Sequence, residues 1–223
     1  MRNLILIPLI STLTCNCLTA GEIKDSTVKD GYTLVVIDKS PDFDKNTKTK
    51  LCEVFFQVYP QLVNRFNKNS TKKVVFVIDP EYKGVAATFR GRVVFCPDWF
   101  KSNPEDIDVV THEVMHIVQN YGRTDAPGWI TEGIADYVRY KYGVANEKGN
   151  WRLPEVSQSQ SYTNSYRITA RFFAWLENHK NKNLIDKLDE TMRNHKYSDS
   201  FWKDMTSKTI DELWKEYLIS PTL

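Results

Sequence analysis

Apolar and polar positions follow two different periods along the chain, and the change falls just before its middle. Tyr32 to Asp38 and Lys73 to Ile78 are runs rich in β-branched and aromatic residues, the second closed by Asp79-Pro80, and both predict strands. Between them Leu51, Phe55, Val58, Leu62 and Phe66 recur at helical spacing within Lys48 to Phe66, where Pro60 predicts a kink or a split. Val85 to Phe89 and Arg92 to Phe95 flank Arg90-Gly91, the pattern of a tight hairpin. Beyond Pro97 the pattern turns helical. Asn103-Pro104-Glu105-Asp106 reads as a helix start, and Ile107, Val110, Val114, Ile117 and Val118 carry one apolar face onward. Further helices are expected from Trp129 to Tyr137, Tyr166 to His179, Asn183 to Arg193 and Ile210 to Ile219. Strands first and helices afterwards predict an α+β fold, a small N-terminal mixed sheet followed by a mainly helical half. Without an internal repeat or linker, residues 21–223 are expected to form a single domain. The irregular stretch from Gly143 to Ser165 is opaque: its Trp151 and Pro154 either line a cleft or cap the domain.

The chemistry concentrates in His112-Glu113-Val114-Met115-His116. On a helix two histidines four positions apart share one face and can bind a single zinc ion, with the glutamate placed to take a proton from the attacking water. A hydrolytic zinc takes three protein ligands, so a further donor is needed. The segment Trp129-Ile130-Thr131-Glu132-Gly133-Ile134-Ala135-Asp136-Tyr137 offers two acids on one helix face. Glu132 is assigned as the third ligand and Asp136 as the partner of a ring N–H on His112 or His116, although the spacing admits the reverse. His179 and His195 stand beside lysines and read as surface residues.

Composition narrows the setting. Hydrophobic residues at 41% and aromatics at 13% fit a folded globule rather than a disordered chain. The formal charge of +2 includes Arg2, so neither a nucleic-acid footprint nor strong attraction to a membrane surface is expected. Arg2, the apolar stretch from Leu4 to Leu13 and the small residues ending at Thr19-Ala20 predict a signal peptide over residues 1–20, too short to anchor the chain across a membrane. The expected location is outside the cell, in the periplasm or at the cell surface. Cys15 and Cys17 raise lipidation as the alternative, although Thr14 and Asn16 suit it poorly. Cys52 and Cys96 form either one disulfide or two buried thiols.

The helix of Glu132 resembles the glutamate-ligand helix of the gluzincin metallopeptidases. A broader similarity, from Tyr32 to Tyr217, is to the basic secretory protein family, zinc peptidases of plants and bacteria. Four segments carry it: Gly84-Val85-Ala86-Ala87-Thr88, the His112 to His116 motif, Pro127 to Arg139, and Tyr166-Arg167-Ile168-Thr169-Ala170-Arg171-Phe172-Phe173. The resemblance implies a secreted, gluzincin-like zinc peptidase, expected to be a monomer acting on peptides or proteins. It also implies that Ala86, Ala87 and Thr88 form an edge strand above the zinc helix, where main-chain groups would hold an extended substrate. Tyr166 and Arg171 are the resulting candidates for stabilising the oxyanion, with Tyr162 and Tyr121 as alternatives. Two other functions remain open at this stage: a zinc-stabilised binding protein without a productive cleft, and a metal-dependent amidase acting on cell-wall peptides.

Overall fold

The computed structural model describes residues 23–223, so the predicted signal peptide lies outside the described residues. Strand β1 (Ile23–Lys29) opens a five-stranded sheet and turns through Asp30-Gly31, both at positive φ, into β2 (Tyr32–Asp38). Helix α1 (Lys45–Phe66) follows, then β3 (Lys73–Ile78) and the hairpin β4 (Ala86–Phe89) and β5 (Arg92–Phe95). The sheet order is β1-β2-β3-β5-β4. Its centre, β2-β3-β5, is parallel and both outer pairs are antiparallel, a mixed sheet as expected. The hairpin turn puts Arg90 at φ 49° and Gly91 at φ 72°, the two successive left-handed positions of a type I′ turn.

Helices make up the rest: α2 (Pro97–Ser102), α3 (Val109–Gln119), α4 (Gly128–Tyr142), α5 (Tyr166–His179), α6 (Leu184–Arg193), α7 (Ser200–Thr206) and α8 (Ile210–Ile219). A short 3₁₀ turn at Tyr162–Asn164 precedes α5. Helix α3 packs against β4 and β5 on one side, with α1 and α4 beside it, and α5 covers α4. One apolar cluster runs from Leu34 and Phe76 of the sheet through Val114 and Val118 of α3 to Phe172, Trp202 and Tyr217. The fold is α+β, with the edge strand β4 lying over α3.

Three details depart from expectation. Helix α1 is not split at Pro60, because Val58, Tyr59, Leu62 and Val63 are buried on both sides of it and hold one helix together despite the missing N–H. Helix α3 begins at Val109, not at Asn103. The side chains that read as caps are used elsewhere: Asn103 turns back to Trp99 O and ends α2, while Asp106 binds the Trp99 indole and pairs with Arg139. Asp108 does not cap its own helix either; its carboxylate accepts the N–H groups of Val144 (2.9 Å) and Ala145 (2.6 Å), tying the exit of α4 to the start of α3. Strand β1 was not foreseen. Cys52 and Cys96 are unbonded thiols, and burial pushes the Cys52 thiol up to about 11, which keeps it protonated and inert.

Candidate active site

Helix α3 is apolar almost all round and buried along its length, so His112, Glu113 and His116 reach the surface only where β4 ends the sheet. There an open cavity of about 2110 Å³ runs between the edge strand, α3, α4 and the start of α5. The Nε2 atoms of His112 and His116 lie 3.2 Å apart, and Oε2 of Glu132 is 3.3 Å from the first and 3.6 Å from the second. Three potential ligand atoms therefore face one point.

The other ring nitrogens explain this convergence. His112 Nδ1 lies 2.6 Å from Asp136 Oδ1, and His116 Nδ1 lies 2.7 Å from Gln119 Oε1. The Gln119 amide nitrogen donates to Thr131 O (2.9 Å), which leaves its oxygen facing the histidine. A carboxylate and an amide oxygen only accept, so both Nδ1 atoms carry a proton and both Nε2 atoms face Glu132. Burial disfavours charge on His112, yet the hydrogen bonds its ring donates to Asp136 and Glu132 outweigh it and raise the ring's pKa to about 10. Burial and the neighbouring His112 lower that of His116. The site thus favours one positive charge among these groups.

Glu113 is buried, and its Oε2 accepts from Thr88 Oγ1 at 2.7 Å. Thr88 therefore contributes its side chain as well as its place on the edge strand. The Val85 carbonyl binds Cys96 N–H, so by the alternation of antiparallel pairing Ala87 faces β5, while Ala86 and Thr88 turn main-chain groups outward. Tyr82 hydroxyl already donates to Ala86 O (3.0 Å), leaving Thr88 C=O and two N–H groups on the open edge.

Tyr166 stands across the cavity, its ring stacked on His112 at 6.2 Å between centroids and 16° between planes. Ser165 (φ 68°) and Tyr166 (φ 47°) both occupy the left-handed region, a strained start to α5 that sets this ring beside the ligands. The Glu132 carboxylate is the main influence raising the phenol's pKa. Arg171 does not line the cavity; one guanidinium nitrogen is buried without a hydrogen-bond partner, and its charge acts on Tyr217. Five helical residues place Arg171 about 140° round the helix from Tyr166, so the two cannot share the cleft face. Arg167 lines it instead. Tyr162 and Tyr121 are engaged elsewhere, with Asp211 and Asp189 at 2.8 Å each. Trp151 lines the cavity and covers the Arg139 guanidinium. Sequence reasoning missed Gln119, although its position three after His116 puts it on the same helix face.

Sequence comparison agrees with this arrangement: the model of the BSP family, described as a peptidase of plants and bacteria, matches residues 32–217. The chain belongs to that family. No curated protein sequence matches this chain significantly. Among solved structures it is similar to an M1 zinc metallopeptidase from Deinococcus radiodurans, with a TM-score of 0.53 and 10% identity over 91% of this chain and 52% of that one. A glutamate-to-alanine mutant of that protein gives the same TM-score with 12% identity, over 91% and 53%. A two-domain M1 zinc metallopeptidase mutant bound to L-tryptophan also scores 0.53 at 12% identity, over 91% and 52%. At these identities the likeness is one of fold, and the chain spans about half the length of those structures. Among the described residues, no helix is long and apolar enough to cross a membrane.

Proposed function

We propose that the protein is a secreted, zinc-dependent peptidase in which His112, His116 and Glu132 hold the ion and Glu113 is the general base. The ligand triangle carries this reading. Four ligands placed tetrahedrally at about 2.0–2.1 Å from zinc stand about 3.3 Å from one another, and the three atoms here are 3.2, 3.3 and 3.6 Å apart. Two nitrogen lone pairs and one carboxylate oxygen match the ligand preference of zinc, and Asp136 and Gln119 fix the tautomers that binding requires. The structural neighbours, which are named zinc metallopeptidases, support the choice of metal.

A zinc ion held there supplies Lewis acidity to water and to the scissile carbonyl. Glu113 takes the proton of the attacking water and passes it to the leaving amine, while Thr88 Oγ1 holds the carboxylate in place. The substrate backbone lies along β4, taking the outward N–H groups of Ala86 and Thr88 and the C=O of Thr88. Tyr166 hydroxyl donates to the developing oxyanion; the proximity of Glu132 keeps the phenol protonated for that task. Export rests on the Arg2 to Ala20 segment.

The Glu113→Gln variant tests the mechanism. It should keep one zinc per chain by metal analysis and lose about 10²- to 10⁴-fold in peptide hydrolysis. Wild-type activity in this variant would refute the role of Glu113. Digestion of a peptide library with and without chelator tests the activity itself, and cleavage of cell-wall fragments alone would redirect the reading to an amidase.

A further inference from the structure

Charge is distributed unevenly along the cavity. Its centre holds Glu113, Glu132 and Asp136, all engaged in the site described above, with the exposed Arg167 at the start of α5 beside them. Towards Trp99 and Trp151 its charged lining groups are Asp106 and Arg139, which pair with each other. The hairpin end is different. Val75 N–H donates to Gly91 O and the Asn67 amide donates to Val118 O, so the β4-β5 turn, the start of β3 and the turn after α3 gather there. They bring Lys73, Arg90, Arg92 and Arg123 to the cavity wall, all exposed. Among the described residues, no acidic side chain lies within ion-pair distance of any of the four, and none of their side chains donates a hydrogen bond. The guanidinium of Arg90 rests over the Phe89 ring at 4.9 Å, a contact that leaves its N–H donors free.

Lys39, Lys48, Lys50, Lys101, Lys180 and Lys187 each pair with a carboxylate, whereas among the described residues other exposed cations such as Lys24, Lys29 and Lys68 do not; what sets Lys73, Arg90, Arg92 and Arg123 apart is that they share one end of the cavity wall. Four unpaired cations at one end of a substrate groove create a positive potential that attracts carboxylates and repels lysine and arginine. The strand edge delivers substrate side chains to that end, because an extended peptide lying on β4 advances about 3.3 Å per residue.

We propose that the hairpin end of the cleft is a subsite for acidic peptide side chains, so that the enzyme selects substrates carrying Asp or Glu within about three residues of the scissile bond on that side. The proposal rests on the peptidase reading and adds the substrate class to it. Strand direction is left to the experiment, which places the acid on either side of the bond in turn.

The test is binding of fluorescent, C-terminally amidated peptides to the zinc-loaded Glu113→Gln protein by anisotropy, with Glu, Gln or Lys at the variable positions. Peptides with glutamate on one side should bind about tenfold tighter than those with glutamine, and lysine peptides more weakly still. The preference should shrink as salt rises from about 0.05 to 0.5 M, where screening shortens to a few ångström. It should vanish in a background carrying Lys73→Gln, Arg90→Gln, Arg92→Gln and Arg123→Gln, whose retained fold is checked by circular dichroism and unchanged zinc content. Equal binding of the three peptides, a preference that survives the fourfold substitution, or tighter binding only when a free C-terminus replaces the amide would each overturn the proposal. Failure of the wild-type enzyme to cleave any peptide, with the binding preference intact, would refute the peptidase reading and leave the acidic subsite standing.

Discussion

Gly133 lies between Glu132 and the α5 wall, and replacing it with alanine is a sharp test of how the site is built. A Cβ at that position would sit 2.3 Å from Thr169 Cγ2, 2.9 Å from Thr169 Cβ and 3.0 Å from Phe173 Cε2. Carbon atoms prefer about 3.5–4.0 Å, so the new methyl intrudes more than about 1 Å into side chains that are wholly buried. Overpacking of this kind costs about 1–3 kcal/mol, and a clash this deep belongs near the top of that range. Alanine returns about 1 kcal/mol through its better helix propensity, leaving a net loss of about 1–2 kcal/mol. Denaturant unfolding in the presence of chelator, which removes any contribution from metal binding, should show a lower midpoint at constant slope. The second substitution Thr169→Ser removes Cγ2 yet keeps the hydroxyl that donates to Tyr162 O at 2.6 Å. The double variant should therefore recover about half or more of the loss, a coupling expected of residues in direct contact. Zinc affinity should follow the same order, because the displaced helix carries Glu132. A Gly133→Ala protein as stable as the wild type, or strict additivity of the two substitutions, would refute this account of the α4–α5 contact.

Gln119→Leu should weaken zinc binding about 10- to 100-fold in a chelator competition while leaving the fold intact, since it frees the His116 ring without touching a ligand; unchanged affinity would remove Gln119 from the site. Tyr166→Phe should lower kcat about 10²- to 10³-fold with little change in KM, and an unaltered kcat would exclude the tyrosine as oxyanion donor. Burial of Glu177 alone would raise its pKa, but hydrogen bonds from Tyr137, Lys141 and Arg65 prevail and lower it. Its contribution to stability is thus fully present above the ordinary carboxyl range and is lost as pH falls through the lowered folded value. Glu177→Gln should reduce stability at neutral pH by about 1–3 kcal/mol and flatten the acid limb of a stability-against-pH curve; an identical limb would contradict the assignment.

The sequence announced much of this architecture because its central elements are apolar on a regular period. Strands β2 and β3, buried in the middle of a parallel core, and helices α5 and α8, with strong apolar stripes, appear close to their expected limits. Strand β1 has no such stripe, since Lys24 to Lys29 are all exposed; Asp30-Gly31, a two-residue hairpin signal, was its only mark. The start of α3 was misplaced because Asn103 and Asp106 have the chemistry of caps but spend it on Trp99 and Arg139, partners whose positions no local rule supplies. That Arg171 turns away from the cleft was equally hidden. It depends on where α5 begins in space, which two residues at positive φ decide. The convergence of His112, His116 and Glu132 was legible because four-residue spacing puts both histidines on one helix face and an acid stands in the next helix, whereas Gln119 acts through one histidine and leaves no motif.

Two cross-links join α3 to α4 at the ligand shell: the contact between His112 and Asp136, and the Gln119 amide on Thr131 O. Both begin and end inside helices, so the alignment of the two halves of the site is independent of the chain that connects them. The turn from Gly122 to Ala126 carries no part of this register. Over evolutionary time such a turn can lengthen, shorten or drift in sequence while the ligand triangle stays fixed. A distance between sequence motifs is then a weak guide to kinship for chains of this fold, and the paired residues that lock one helix onto the other are the better signature.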